Sequence, residues 1–171
     1  VQGATDIGPN PDSLPGYYGL ADGAWKHYAK VWGVDFEWIK KQYAPGMMSK
    51  PGLTISRWFD AVLEKPELID QEGNLRGMFY WGHAPNSQTR GLDLKRGMDK
   101  LDLLVVVDPF PSATAAMAAM PGKSEDLNPN QAVYLLPACT QFETSGSCTA
   151  SNRSIQWREK VIEPLFESKP D

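Results

Sequence analysis

Leu103-Leu104-Val105-Val106-Val107, closed by Asp108-Pro109, is the stretch that decides the fold. The run is apolar without alternation and ends in three β-branched residues. A strand of that kind buries both faces, which is the habit of a strand inside a parallel sheet. Two shorter apolar runs flank it. Gly77-Met78-Phe79-Tyr80-Trp81 precedes it, and Ala132-Val133-Tyr134-Leu135-Leu136 follows, stopped by Pro137. Between the first two runs, 89–100 can be helical, with Leu92, Leu94 and Met98 available to pack. Between the last two, 112–120 is rich in Ala and Met, with Ser112 as its N-cap and Pro121-Gly122 as its stop. Strand, helix, strand, helix, strand implies right-handed crossovers. The expected class is therefore α/β, a three-layer α-β-α arrangement with a mainly parallel, Rossmann-like sheet.

The flanks are less regular. Residues 1–23 are rich in Gly, Pro, Asp and Asn and read as extended chain and turns. A helix is expected over 24–32. Asp35 should cap a second helix that carries Phe36, Ile39 and Tyr43 and ends at Pro45-Gly46. Ile55, Trp58, Phe59, Val62 and Leu63 follow a helical spacing over 54–65, stopped by Pro66. Residues 140–152 read as a polar connection, and 155–166 as partly helical. The expected division is an extended segment over 1–23 and an α/β domain over 24–171 whose last residues lead into a following domain.

The 171 residues are enough for a domain with a core, and 42% hydrophobic with 22% charged residues is ordinary for a globular protein. A net charge of -4 argues against nucleic acid as a partner, because phosphate binding asks for a basic face. No apolar run approaches the ~20 residues of a membrane-spanning helix. The opening at Val1 suggests an excerpt from a longer polypeptide, the expected larger multidomain subunit. Cys139 and Cys148 match no CxxC redox or zinc pattern and are expected as reduced thiols of a cytoplasmic protein. His27 and His83 are too few and too far apart for a zinc site of their own.

In a parallel α/β sheet the ligand crevice lies outside the carboxyl ends of the strands. The loops that fall there are 82–88, 108–114 and 137–152. Gly82 lets the backbone come close to a ligand, and the helix opening near Thr89 offers amides to a phosphate. Asp108 ends a buried strand, where its carboxylate can accept from a ribose or a guanine edge. Ser112 and Thr114 can donate to phosphate or ring oxygens. His83 could hydrogen-bond a ligand, and Arg153 suits bidentate contact with phosphate or carboxylate. Plain βα turns, with Ser112 capping a helix and Asp108 holding a turn, satisfy the same residues. GxGxxG and GxxxxGKS/T are both absent, which removes the usual dinucleotide and P-loop readings.

Several ordered motifs carry a family resemblance. Val1-Gln2-Gly3-Ala4-Thr5-Asp6-Ile7-Gly8, with Leu14-Pro15-Gly16-Tyr17 after it, resembles the "NVQG..D.G" segment of formate dehydrogenase catalytic subunits. Trp81-Gly82 with Pro85-Asn86 resembles their "G.NP" loop, and Val107-Asp108 through Ser112-Ala113-Thr114-Ala115 their "D.F.TETA" segment. Leu135-Leu136-Pro137 resembles "VLP", and 142–156 resembles "E.EG.FTN..R..Q". These are molybdopterin oxidoreductases of the dimethyl sulfoxide reductase type.

The resemblance implies a bis-molybdopterin guanine dinucleotide cofactor with molybdenum or tungsten, oxidising formate reversibly to carbon dioxide. It also implies an iron–sulfur cluster elsewhere in the subunit and iron–sulfur electron-transfer subunits as partners. Carried over by position, Gly82, His83, Pro85, Asn86, Asp108, Ser112 and Thr114 would hold the guanosine and diphosphate end. Gln2 and Gly3 would lie near the pterin, with Asn152 and Arg153 as further contacts. The metal ligand, the substrate arginine and the iron–sulfur cysteines of the family fall outside these residues, so the segment is expected to cradle cofactor and to be inactive alone. Ala84, Val107 and the Ser145-Gly146-Ser147 turn depart from the family pattern and put single contacts in question. The competing readings are another molybdopterin reductase such as a nitrate reductase, the pterin-free iron–sulfur scaffold of NADH dehydrogenases, and a generic phosphate-binding α/β module.

Overall fold

The computed structural model describes residues 3–8, 13–43, 53–69, 71–82, 90–112, 116 and 127–170. They fall into two compact units. One comprises Val1–Gly52 with Gly146–Arg158, and the other Leu53–Ser145 with Glu159–Asp171.

The first unit holds α1 (Ala4–Ile7), a two-residue antiparallel pair β1 (Ser13–Leu14) and β2 (Tyr18–Gly19), and helices α2 (Asp22–Trp32) and α3 (Phe36–Tyr43). Asp35 caps α3 as its sequence position predicts, its Oδ1 accepting from the Trp38 amide at 3.0 Å. Leu14, Trp25, Tyr28 and Ile39 form the buried cluster between these pieces. The described residues of this stretch, 3–8 and 13–23, are thus less extended than their composition suggests, because Leu14 and Pro15 are drawn in by α2: Tyr28 Oη donates to the Pro15 carbonyl.

The second unit opens with α4 (Asp60–Leu63) and α5 (Pro66–Ile69). The helix expected over 54–65 is therefore short. Its front half is wound more tightly, with 3.0 Å i→i+3 bonds from the amides of Asp60 and Ala61 to the carbonyls of Arg57 and Trp58. Strand β3 (Gly77–Trp81), helix α6 (Gly91–Lys100), strand β4 (Leu103–Asp108) and strand β5 (Ala132–Pro137) follow. The sheet order is β3-β4-β5, and both pairings are parallel. The α/β expectation holds, and central β4 is buried on both faces as its unalternating sequence demands. The helix expected over 112–120 falls largely outside the described residues.

One face of the sheet builds the main core. Tyr80, Leu104 and Val106 pack there against Phe59 and Val62 from the α4 region and Leu94 and Met98 of α6. Gly97 lets α6 settle directly on this core: a Cβ at that position would lie 2.7 Å from the Phe59 Cβ.

Two expectations near the C-terminus are overturned. Residues 146–158 form an antiparallel hairpin, β6 (Gly146–Thr149) with β7 (Ile155–Arg158), where a polar connection and the start of a helix are expected. The remaining residues up to 166 carry no helix. Ile155, Ile162 and Phe166 have helix-like spacing but stand 63%, 45% and 101% exposed, so no apolar face is buried to hold a helix there.

Candidate functional site

Register brings the three strand ends to one edge. Trp81 pairs with Val107 and Val107 with Leu136, so the chain leaves β3, β4 and β5 side by side. Gly82 follows with φ +57°, a left-handed conformation natural to glycine, and nothing lies within 4 Å of where a Cβ would stand. Its own amide is spent within the sheet, donating to the Val107 carbonyl at 3.0 Å. Gly82 therefore supplies a turn and open space rather than a donor. His83, Pro85 and Asn86, which come next, lie outside the described residues, as does Thr114.

Asp108 ends β4 half-buried. Its Oδ1 accepts from the Phe110 amide at 3.1 Å and its Oδ2 from the Ser112 hydroxyl at 2.8 Å. These bonds fix the β4 turn, and an ionised carboxylate still has lone pairs to offer a ligand donor. Ser112 begins a helical step, its carbonyl accepting from the Ala116 amide at 2.9 Å.

Two hollows open beside this turn. One of about 180 Å³ lies against Asp108, Phe110 and Leu136; one of about 630 Å³ lies against Phe110, Ala138, Thr140, Glu143 and Phe166. Pro109, Phe110 and Pro137 border both. The larger volume is in the range of small-molecule and cofactor sites. Its far wall is the C-terminal tail, tied to the end of β5 by bonds from the Cys139 amide to the Lys169 carbonyl (2.9 Å) and from the Lys169 amide to the Pro137 carbonyl (3.1 Å).

Glu143, absent from the sequence-predicted set, holds that wall. It is 4% exposed and accepts from the amides of Thr140 at 2.6 Å and Leu165 at 2.7 Å. The Thr140 amide, then the Leu165 amide, keeps its carboxyl below the usual glutamate range. The only sequence signal was an acidic residue inside the fifth family-like motif.

In the first unit a different group of predicted residues meets. Asp6 Oδ2 accepts from the Gly3 amide at 2.8 Å and from Arg153 Nε at 3.0 Å, joining chain positions 147 apart. Arg153 has φ +69° in the β6–β7 turn, and Asn152 Oδ1 accepts from the Ser154 amide at 3.0 Å. Gly3, Asn152 and Arg153 are thus components of one local structure, with Asp6 as the unpredicted centre. Gln2 lies outside the described residues.

No group of His, Cys, Asp and Glu among the described residues could hold a metal ion, and Cys139 and Cys148 are free thiols, one buried and one exposed. No helix among the described residues is long and apolar enough to cross a membrane.

No protein-family model matches the chain. Individual proteins do match it from end to end. "Probable oxidoreductase YjgC" of Bacillus subtilis is 31% identical over 173 residues, which is 100% of this chain and 14% of that protein. The alpha subunit of the F420-dependent formate dehydrogenase of Methanocaldococcus jannaschii is 29% identical, again over 100% of this chain and 20% of the relative. Formate dehydrogenase H of Escherichia coli stands at 29%, with the same coverage of 100% and 20%. The chain thus spans between 14% and 20% of the length of these relatives. It is, along its whole length, a homologue of one segment of formate dehydrogenase subunits and related oxidoreductases.

Proposed function

We propose that this segment cradles one guanine dinucleotide of a molybdenum- or tungsten-bearing bis-molybdopterin cofactor, as part of a cytoplasmic formate dehydrogenase. The observation that carries the reading is the rim of β3, β4 and β5: three flush strand ends, a half-buried carboxylate at Asp108 lining a hollow of about 180 Å³, and a second hollow of about 630 Å³ that shares Pro109, Phe110 and Pro137 with it. The relatives named formate dehydrogenase support the substrate, formate. Free thiols suit a reducing compartment.

The residues present fit such a group. The larger hollow offers the Phe110 and Phe166 rings, 66% and 101% exposed, as apolar surface, and the smaller one, which shares Phe110, offers Asp108 as an acceptor for a guanine or ribose donor. Gly82 leaves room for a close approach. The α/β stretch would hold the guanosine and diphosphate end through Gly82, Asp108 and Ser112, together with His83, Pro85, Asn86 and Thr114. Gln2 and Gly3 would lie near the pterin, with Asn152 and Arg153 as further contacts. When bound, the metal–pterin group supplies the redox chemistry of formate oxidation. The segment's share is binding, orientation and electrostatics. Electrons would leave through an iron–sulfur cluster elsewhere in the subunit and through iron–sulfur partner subunits.

The test is Asp108→Ala in the full-length protein. Bound pterin by mass spectrometry and metal by elemental analysis should both fall by about tenfold, the effect of losing one good hydrogen-bonded contact. Wild-type content of both would refute the assignment.

A further inference from the structure

The C-terminal tail is laid back along the end of β5. Ala138 and Lys169 form a parallel bridge, and the amide and carbonyl of Lys169 bond to Pro137 and Cys139. Upstream, the Leu165 amide donates to the buried Glu143 carboxylate at 2.7 Å. The Leu165 carbonyl accepts from the Ser168 hydroxyl at 2.7 Å and from the Ser168 amide at 3.1 Å. Residues 165–168 therefore form a closed turn pinned at both ends. Inside it Phe166 has φ +55°, a conformation rare for a bulky residue. Its ring is fully exposed, so burial does not hold it there. The turn thus presents an aromatic ring at the larger hollow on a strained backbone, and exposed Phe110 lines the same hollow from the β4 turn.

The charge of the lining decides what can sit with these rings. Among the described residues the larger hollow is lined by two carboxylates, Glu143 and Glu167, by the hydroxyls of Thr140 and Ser168, and by no Lys, Arg or His. A diphosphate would meet like charge there. An uncharged planar ring with N–H donors would meet stacking surface and acceptors. Of the purine bases, guanine carries adjacent N1–H and N2–H donors on one edge, a pattern that a carboxylate accepts with both oxygens. Adenine presents a lone pair at N1 and is turned away. Both oxygens of Glu143 are already committed, to the amides of Thr140 and Leu165. Glu167, exposed on the tail, is the carboxylate left for a base.

We propose that the larger hollow seats the guanine base, with Phe110 and Phe166 as its stacking surface and Glu167 as the residue that selects guanine over adenine. Asp108, in the adjoining hollow that shares Pro109, Phe110 and Pro137, then takes the ribose joined to that base. Glu143 touches no base; it holds the turn that carries Phe166 and Glu167. This rests on the reading above that the rim takes a guanine dinucleotide, and it adds which hollow reads the base and through which residue.

The experiment is calorimetric titration of guanosine diphosphate and of adenosine diphosphate into cofactor-free full-length protein, well below the melting temperature. Wild type, Glu167→Gln, Phe166→Ala and Asp108→Ala are compared. Wild type should bind guanosine diphosphate at least about tenfold tighter than adenosine diphosphate. Glu167→Gln should remove most of that preference by weakening guanosine diphosphate alone. Phe166→Ala should weaken both nucleotides to a similar degree, about tenfold, because stacking tolerates any base. Asp108→Ala should also weaken both alike, because it meets the ribose. Wild type without a preference, or Glu167→Gln with the preference unchanged, would overturn the base assignment; if Asp108→Ala still weakened binding, the dinucleotide site would stand. Wild-type protein that binds neither nucleotide, or binds guanosine diphosphate equally well with Asp108→Ala, would overturn the site itself.

Discussion

A Cβ on Gly3 would lie 2.3 Å from the carbonyl oxygen of Ala150, so the first described residue of the chain packs backbone against backbone on the turn of the β6–β7 hairpin. Gly3 also has φ +87°, a conformation side chains rarely adopt. Both facts exclude a side chain at this position. Gly3→Ala should therefore destabilise this contact by about 2–3 kcal/mol, the sum of backbone strain and displacement. Hydrogen exchange of the full-length protein reads it as faster exchange confined to 3–8 and 146–158. The same substitution with unchanged exchange there would show that the contact does not hold the hairpin.

Gly97 sets two effects against each other. Alanine in a helix interior is favoured over glycine by about 1 kcal/mol. Here its Cβ would stand 2.7 Å from the Cβ of Phe59, the rigid root of a fully buried side chain. Overpacking of this kind costs about 1–3 kcal/mol and exceeds the helical gain. Gly97→Ala should lower stability in denaturant titration, and a rise would mean that α6 can shift away from Phe59.

Glu143 links the cavity wall to acid stability. Its carboxyl is held below the ordinary glutamate value of 4.5 by the two amides it accepts from, Thr140 and Leu165. A group whose folded pKa is depressed contributes stability that is fully present above the unfolded value and is lost as pH falls through the folded one. Glu143→Gln should lower the melting temperature near about pH 7, and the gap to wild type should close as pH falls below the ordinary glutamate value and through the depressed one. A gap independent of pH would remove the charge of Glu143 from the account.

Some of this was legible in the sequence, and for a physical reason. The β3-α6-β4-β5 framework is read easily because β4 is buried on both faces, and burial writes itself into an unbroken apolar run. Asp35 was legible because capping is local. The β6–β7 hairpin was not, because its partners Ser147, Cys148, Gln156 and Trp157 are exposed and carry no alternation. Strand pairing without a buried face leaves little trace in residue type. The turn held by Asp108 and Ser112 was legible from its place after a buried strand. Glu143 and Asp6 were not, since each acts on amides brought close only by the fold: Leu165 lies 22 positions from Glu143, and Arg153 lies 147 from Asp6. Gly82 was legible as a turn; the bond its amide makes to the Val107 carbonyl was not, because it depends on strand register.

The most direct test of the central claim is an experimental structure of the full-length protein with its cofactor bound. Guanine or ribose atoms should lie within hydrogen-bond reach of the Asp108 carboxylate, in the hollow that it lines with Phe110 and Leu136. Side chains filling that hollow, or a guanine held elsewhere with Asp108 facing only its own turn, would contradict the account.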